Sequence, residues 1–575
     1  MGVRVPEAHN APRRFHPTLA GAALAGLAVL AVLLANGRPI PAGDTRPTER
    51  VAASLVEELD FDLDEHPGVQ APFARQVGEH RVSIYPVFAA VLAAPVFALA
   101  RLGLPLDETG CALAGKWAAA LLSSLAMVTL FLALGRRHGE HDAFRSVLLL
   151  ALGTSVWSTS QALWQHPAAV LLLALALLCT VRAEDDDVWA ARAGLPLALA
   201  VAARHGDVLL AAALAVGLAV RWPRRVPGLL LWALPGVVFV LGYQWFYFGA
   251  PWRHGFTGSL GRFSEPWGVG QLGLLVSPAK GLLVFTPLAV VALVGLVRAF
   301  REGERWLSAT LGLGFLAHWL LMGRWSEWHG GVSYGPRLMT DALPFLFFFL
   351  PEGWSVMRRP AIVLAALSVG VQAVGAFAYD MRWERLYQHP PSATGRELWD
   401  LRRSPLLLHA RERVFKLAMP ARVDGRAFVR EHLLVLGDTT GSSVRFDSGH
   451  LSVGGPDATL SDVHLQRGAR VVAGTLRLNG RWDALFLRVQ SRVRHLELHV
   501  RGRGRGPLYV GESTFWSRSP RWKTYTLSGA FHVRHAYHYP DSGGPDVRIT
   551  VGKGGGEAQI ESVALLPAGS AASPR

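Results

Sequence analysis

Residues 17–47 read PTLAGAALAGLAVLAVLLANGRPIPAGDTRP. Leu19 to Ala35 carry no charge, and Arg4, Arg13 and Arg14 precede them. An apolar run close to the ~20 residues that cross a bilayer, entered from a basic side, is a membrane anchor. A basic start followed by small residues also fits a cleavable signal. Further apolar runs follow, so a retained anchor is the better reading. The chain then leaves the span within a few residues and reaches Gly43-Asp44-Thr45-Arg46-Pro47, which places Asp44 near a membrane surface.

Working outward, further candidate spans lie near 84–102, 109–134, 143–161, 167–182, 189–203, 207–220, 227–248, 281–297, 306–322, 340–353 and 360–379. The expected fold is a polytopic α-helical membrane protein of about 11–13 spans. Composition agrees: of 575 residues, 51% are hydrophobic and 18% charged, where soluble domains carry about 25% charge. The formal charge of +15 suits anionic headgroups or phosphorylated substrates. Two cysteines, Cys111 and Cys179, exclude a disulfide scaffold and a cysteine zinc site. Nineteen Trp fit membrane interfaces and sugar-binding faces.

No run after Tyr379 could cross a bilayer. Residues 1–17 read as a cytoplasmic tail, 18–380 as the membrane domain with a first outer loop at 37–83, and 381–439 as a connector. Residues 440–568 read as a domain of short strands, and 569–575 as a disordered tail. The strand candidates are Val471–Leu478, Ala484–Val489, His495–Val500, Pro507–Val510, Thr524–Leu527, Val547–Val551 and Ile560–Leu565. They suggest a jelly-roll-like β-sandwich. Residues 440–575 hold 18 basic against 10 acidic side chains, and Phe515, Trp516, Trp522 and Tyr525 add aromatic surface. An anionic glycan or the membrane surface would suit such a domain. Arg501, Arg503 and Arg505, alternating with Gly502 and Gly504, read as a basic β-turn.

Loop charge sets the orientation. Arg136, Arg137 and Arg145, then Arg221, Arg224 and Arg225, then Arg298, Arg301 and Arg305, then Arg358 and Arg359 mark four inner loops. The loops around His166, Arg204, 249–280 and 323–337 then face outside, with the C-terminal domain. Simple counting from Arg13 and Arg14 conflicts with this unless one crossing in 84–134 is miscounted or re-entrant.

The outer loops carry the chemistry. Asp44 is either a turn carboxylate or a general base facing a membrane-bound substrate. Val51, Leu55 and Leu59 at a spacing of four predict an amphipathic helix on the interface. Asp60, Asp62, Asp64 and Glu65 form a solvated acidic turn or a divalent-cation site. His80 and Arg81 are interface anchors or pocket residues. His166 stands before Pro167, and Arg204, His205 and Asp207 interrupt an apolar stretch where charge is costly. Ser277-Pro278-Ala279-Lys280-Gly281 predicts a broken helix whose free N–H groups and Lys280 suit a phosphate. Arg324 to Arg337 holds Trp328, His329, Tyr334 and Arg337 on a Gly-rich loop, a sugar- and phosphate-binding composition. Asp341 is expected to cap the next helix. No Walker A, HExxH or GxSxG signature occurs, nor a GxGxxG in a βαβ setting.

Taken together, Gly43-Asp44-Thr45, Gly281-Leu-Leu-Val-Phe-Thr-Pro287 and Gly331-Val-Ser-Tyr-Gly-Pro-Arg337 resemble the GT-C superfamily of integral-membrane glycosyltransferases, of the bacterial protein O-mannosyltransferase and aminoarabinose-transferase type. The likeness covers roughly residues 18–380. One departure stands out: the family's paired acid is here Asp44-Thr45. The resemblance implies transfer, with inversion, of a hexosyl or pentosyl group from a polyprenyl-phosphate donor to a hydroxyl of an extracytoplasmic glycan, lipid or protein, in the plasma membrane. It implies Asp44 as the base and Arg204, Lys280 and Arg337 as the cations for the leaving phosphate. His80, Arg81, His166, His205, Trp328, His329 and Tyr334 would line the substrate site. No metal ligands are assigned and no cofactor is certain, a divalent cation being the one candidate; no nucleic-acid partner is expected. The rival readings are a flippase for a lipid-linked saccharide and a non-catalytic anchor for a carbohydrate-binding domain.

Overall fold

The computed structural model describes residues 15–575 except 67–68, 70–71, 258–262, 304, 380, 382, 385–395, 412–438, 441–442, 448–449, 455–457, 467–469, 473–474, 480–482, 492–494, 514–520, 539–546, 554–555 and 568–575. Most of the tail 1–17, most of the 381–439 connector and all of the tail 569–575 therefore lie outside the described residues. The chain divides into two compact units, Met1–Ala418 and Met419–Arg575.

The first unit is mostly helical. Its helices are α1 (Leu19–Leu34), α2 (Arg46–Glu57), α3 (Phe88–Arg101), α4 (Glu108–His138), α5 (Glu140–Leu152), α6 (Ser155–Thr159), α7 (His166–Arg182), α8 (Val188–Arg192), α9 (Gly194–Ala203), α10 (Val208–Arg221) and α11 (Val226–Phe248). They continue as α12 (Val269–Val276), α13 (Leu282–Phe285), α14 (Ala289–Glu302), α15 (Arg305–Met322), α16 (Leu343–Phe347), α17 (Leu350–Val356) and α18 (Arg358–Phe377). A hairpin of β1 (Ala74–Val77) and β2 (His80–Ser83) sits before α3. Among the described residues, Glu108–His138, Pro223–Phe248 and Arg358–Phe377 are long and apolar enough to cross a membrane alone. Four expected spans are broken, 143–161 between α5 and α6 and 189–203 between α8 and α9 among them. The run 281–297 ends α13 at Phe285 and restarts α14 at Ala289 across Thr286-Pro287, and 340–353 is a 3₁₀ turn followed by α16 and α17. Pro287, Pro344 and Pro351 each lack the N–H a continuing helix needs.

The bundle has two polar ends. At one, Phe15 N–H donates to Arg136 O (3.2 Å), Arg136 pairs with Asp185 (2.9 Å), and His138 approaches Glu352 (3.5 Å). At the other, Ile40 N–H donates to Gln161 O (2.8 Å), Arg38 to Tyr379 O (2.6 Å), and Arg337 pairs with Asp44. Both ends of α3 lie at this second end. Arg101 closes the helix on Val56 O (3.2 Å) and Glu57 (3.8 Å), and Glu108, opening α4, pairs with Arg46 (3.0 Å). Tyr85, just before α3, stands beside Asp44. The stretch 84–102, expected as a span, thus returns to the end it started from.

The helix expected to lie on the interface is α2, but its apolar face is covered by protein. Val51, Ala52 and Ala53 pack against Ala90, Ala93, Phe97, Cys111 and Ala114. Leu59 does not continue the stripe: α2 ends at Glu57, and Leu59 is 86% exposed with φ 66°. The same face buries Glu49, whose carboxyl is pushed up to about 7, by burial first, against the lowering effect of Thr45 and Arg50. Between pH 4.5 and 7 the folded chain keeps a proton that the unfolded chain has lost, so stability falls as pH rises through this window. Glu49→Gln is expected to raise the melting temperature at pH 8 and leave it nearly unchanged at pH 4.5. An equal shift at both pH values would show that the burial of charge is not the cause.

The second unit is an antiparallel sheet region of eleven strands: β3 (Thr439–Thr440), β4 (Ser443–Asp447), β5 (His450–Gly454), β6 (Ala458–Gln466), β7 (Arg470–Val472), β8 (Thr475–Leu478), β9 (Ala484–Ser491), β10 (His495–Ser513), β11 (Arg521–His538), β12 (Val547–Lys553) and β13 (Ala558–Pro567). Val471–Leu478, expected as one strand, is the β7–β8 hairpin. His495–Val500 and Pro507–Val510 belong to one strand, and Arg501–Arg505 lie inside it rather than in a turn. Thr524–Leu527 is a piece of the 18-residue β11. Phe515 and Trp516 lie outside the described residues.

The β10–β11 ribbon bends over. The Tyr525 hydroxyl donates to Arg534 O at 3.1 Å, although residues 9 apart on a straight strand would lie about 30 Å apart. β10 pairs with β13 through Leu496–Gly504 and with β12 through Leu508–Ser513. At the bend a Cβ on Gly502 would fall 2.1 Å from Gln559 O, and one on Gly504 2.6 Å from Glu557 O. Only glycine fits there.

Candidate functional site

The segment after α1 is tied down before it reaches Asp44. Asn36 donates to Gln161 Oε1 (2.8 Å) and Ala376 O (2.7 Å), and Lys116 Nζ donates to Asn36 Oδ1, Arg38 O (2.9 Å) and Gln161 Oε1 (2.8 Å). Thr45 Oγ1 turns back to Ala42 O (3.0 Å), and the Phe73 ring covers Gly43 so closely that a Cβ would lie 2.4 Å from it. Asp44 is therefore held by a short turn between a fixed strap and the start of α2.

Its carboxylate accepts an N–H from the Arg337 guanidinium, with side-chain exposures of 20% and 12%. Arg337 lies 4.2 Å above the Trp164 ring and donates through Nε to Gly330 O. A planar cation stacked on an indole and anchored to a carbonyl is a fixed phosphate- or carboxylate-binding fork. Burial, with Asp44 next, pushes the Tyr85 phenol well above its ordinary value, so it stays a neutral donor at this carboxylate. A small hollow of about 20 Å³ lined by Ala42, Ser158, Trp164, Ser333, Tyr334 and Tyr379 lies on the Trp164 side. A second, of about the same 20 Å³, is lined by Ser83, Tyr85, His205, Tyr243, Gln244 and His254.

Behind Arg337 runs a buried polar seam. His166 Nδ1 and Arg204 both bond Asp341, at 2.9 and 2.7 Å, and Arg204 also bonds Asp207 at 2.8 Å. His318 Nε2 donates to Leu338 O (2.8 Å). Asp341 does not cap a helix: its carboxylate joins three chain segments, and no side-chain cap is made at α16. His166 is within electrostatic reach of Arg204, Arg337 and Asp44, so the seam is continuous with the acid.

Lys280 sits in the turn between α12 and α13, as the broken-helix reading expected. Its three ammonium donors go to Gly331 O (3.2 Å), Ser333 O and Glu384 (3.0 Å), with Lys280 and Glu384 both fully enclosed. The Ala279 and Lys280 N–H groups turn to Ser277 Oγ at 3.2 Å. Lys280 therefore fastens the 331–333 loop to the segment after α18, and no donor remains for a phosphate in this arrangement.

The other expected site residues separate. His329 stays near Lys280 and Arg337, and burial with those two charges pushes its imidazole down to about 3, leaving it neutral. Trp328 is buried against Gly270 and Gly273 of α12, and the Tyr334 hydroxyl donates to Val371 O (2.8 Å) in a cluster with Phe285 and Tyr379. Both pack the loop's underside; Tyr334 also lines the first cavity. His205 turns to His254, 5.1 Å ring to ring, at the second cavity. His80 and Arg81 brace the acidic turn: His80 Nδ1 lies 3.0 Å from Asp64 and 3.2 Å from Asp62, and Arg81 N–H donates to Asp64 (2.7 Å).

This turn is where a cation could be held. Asp62, Asp64 and His80 bring one ligand atom each within 4.8 Å of one another, as do Glu58, Asp60 and Glu65. Burial first, then the negative charges of Asp62, Glu65 and Glu58, pushes Asp60 up to about 6, and a dication would relieve the second part. Two carboxylates and an imidazole suit such an ion.

Sequence reading missed Asp341, Glu384 and the Asn36–Lys116–Gln161 knot. Lys116 carried a usable signal, a lone charge inside the apolar run 109–134. Glu384 carried none.

No protein-family model and no curated protein matches the sequence. Solved structures similar to the chain include ArnT from Cupriavidus metallidurans bound to undecaprenyl phosphate (TM-score 0.41, 16% identity, 68% of this chain and 73% of that chain). They also include the Archaeoglobus fulgidus oligosaccharyltransferase in complex with zinc and sulfate (TM-score 0.36, 11% identity, 63% and 52% of the two chains). The same archaeal protein, AglB, appears in complex with an inhibitory peptide and a dolichol-phosphate (TM-score 0.34, 12% identity, 62% and 50%).

Proposed function

We propose that the protein is a membrane glycosyltransferase that moves a sugar from a polyprenyl-phosphate donor to an acceptor hydroxyl outside the cytoplasmic membrane. The observation that carries this reading is the Asp44–Arg337 pair, stacked on Trp164 and set between two cavities' linings at one polar end of the bundle. Such a pair holds an acid and a phosphate-binding fork side by side. As donor phosphate takes over the Arg337 N–H groups, Asp44 is released to face the acceptor. The acceptor oxygen attacks the anomeric carbon from the side opposite the phosphate, and its proton passes to Asp44. The bond between anomeric carbon and phosphate oxygen breaks, and the lipid phosphate leaves against Arg337. The anomeric centre inverts. Asp341, His166 and Arg204 fix the floor on which Arg337 and Trp164 rest. The β-strand unit is read as a jelly-roll-like sandwich, its two sheets joined by the bent β10–β11 ribbon.

On this reading the Asp44 end faces outward. With α3 returning to its own side, eleven crossings bring all four basic loops inside and the C-terminal unit outside. In a chain freed of exposed native cysteines (Cys111 and Cys179 are both buried), Glu79→Cys and Gly103→Cys should both react with an impermeant maleimide on intact cells, and Arg301→Cys should not. Protection of Gly103→Cys would make α3 a crossing and reverse the later loops.

The deciding experiment is a transfer assay on purified protein with a panel of polyprenyl-phosphate sugars. Release of the lipid phosphate with a glycosylated acceptor supports the enzyme. Movement of the lipid-linked sugar across a vesicle without bond cleavage would make it a flippase.

A further inference from the structure

The β10–β11 bend carries a second feature that the transfer reading leaves unused. Over 501–506 the odd positions face outward and the even ones inward: Arg501, Arg503 and Arg505 are exposed, Gly502 is buried, and Gly504 and Gly506 are partly buried. The glycines are required by the fold, because the backbone of β13 and the turn before it leave no room for a Cβ. The arginines are not. Arg503 reaches Glu561 only at 4.0 Å, with both side chains more than half exposed, a pair of little strength. Among the described residues, no carboxylate lies within ion-pair distance of Arg501 or Arg505. By contrast the neighbouring Arg534 is held in a two-toothed pair by Glu497, at 2.9 and 2.7 Å.

Three open guanidinium groups thus stand in single file on the outside of the bend. Alternate residues of a strand are about 6.8 Å apart. Across the ladder, Arg501 faces His532, Arg503 faces Ala530 and Arg505 faces Ser528. The row therefore runs past small side chains on β11, with one imidazole at its end. A membrane-docking surface would carry large apolar anchors beside its charges. Among the residues of this unit whose side chains are described, a set that leaves out Trp522 and Tyr537, none is an exposed large hydrophobic.

We propose that Arg501, Arg503 and Arg505 bind a linear anionic glycan, one bearing carboxylate or phosphate groups at intervals of ~7 Å or more, since side chains on the outside of a bend splay apart. Each guanidinium takes one acidic group in a forked contact. The low relief left by Ala530 and Ser528 lets the chain lie along the row. Affinity then grows with ligand length until three charges are spanned, and a single acidic sugar binds poorly.

The test uses the full chain in nanodiscs of zwitterionic lipid. The probes are fluorescent polygalacturonate and a phosphodiester-linked glycan, with short galacturonate oligomers and galacturonic acid as competitors. Wild type is expected to bind at least one polymer. Arg501→Gln with Arg503→Gln and Arg505→Gln should weaken binding at least tenfold and lower the slope of log affinity against log salt by about two. Arg534→Gln, whose charge is already paired, should bind as wild type. Asp44→Asn should also bind normally, which separates this surface from the transfer site. An unchanged melting profile shows that the triple variant is folded. Equal binding by wild type and the triple variant would overturn the proposal, as would competition by galacturonic acid as effective as that by its oligomers. Binding confined to vesicles with anionic lipid would overturn it in favour of a membrane surface.

Discussion

Asp44→Asn is expected to lower sugar transfer by roughly 10²–10⁴-fold, the contribution of a positioned general base. The substitution keeps the shape of the side chain and an oxygen that can accept the Arg337 N–H. The Asp44 turn is held from elsewhere, by Thr45 on Ala42 O and by the Asn36–Gln161 contacts. Folding and membrane insertion should therefore be normal, with the same melting temperature and the same yield. Asp60→Asn and Asp62→Asn, on the acidic turn, should be mild by comparison. The measurement is single-turnover transfer at saturating donor. A wild-type rate for Asp44→Asn would remove the base assignment and leave the flippase as the better reading.

The largest effect on stability is expected at Glu384. Lys280 and Glu384 are both at 0% exposure, and the ammonium has no other charged partner within ion-pair distance among the described residues. Glu384→Ala strands a buried cation, which costs about 3–5 kcal/mol. The double replacement Lys280→Met with Glu384→Leu removes both charges and should recover most of that loss, since an apolar pair of similar volume has no desolvation to offset. Thermal unfolding in detergent reads both. If Glu384→Ala unfolds like wild type, water reaches the pair and the enclosure is not as tight as drawn. If the double variant is no better than the single, the loss comes from packing with Trp383, which lies 5.4 Å from the ammonium.

Much of the helical unit was legible because spans announce themselves by length and apolarity. Leu19–Leu34, His166–Arg182 and Arg358–Phe377 lie close to the apolar runs. What could not be read was where a run turns back. The stretch 84–102 has a span's composition, and only contacts between Arg101 and Glu57, 44 positions earlier, show that it stays at one end. The site was legible in part. Asp44 and Arg337 stood out as charges beside Gly and Pro next to spans. Their pairing across 293 positions did not, since no local pattern encodes it. Lys280 misled for the same reason: a lysine in a Pro–Gly turn looks like a phosphate ligand until Glu384 arrives from a distant segment. In the strand unit, period-two alternation found β-structure, but glycine was read as a turn. At Gly502 and Gly504 it marks a bend within a strand.

The return of α3 has a consequence for how the chain is made. During synthesis, residues 88–101 reach the translocation machinery before α4 exists, as an apolar segment with a basic residue at its trailing end. Such a segment is ordinarily left spanning, with that residue on the cytoplasmic side. On the proposed orientation Val56 and Glu57 are already outside, and they must capture Arg101 before the segment can be withdrawn to their side. The topology of this region is then settled by a tertiary contact rather than by loop charge. A pulse-labelled Arg101→Ala chain should accumulate in an inverted form that is cleared by membrane proteases, even though the mature fold could do without the bond.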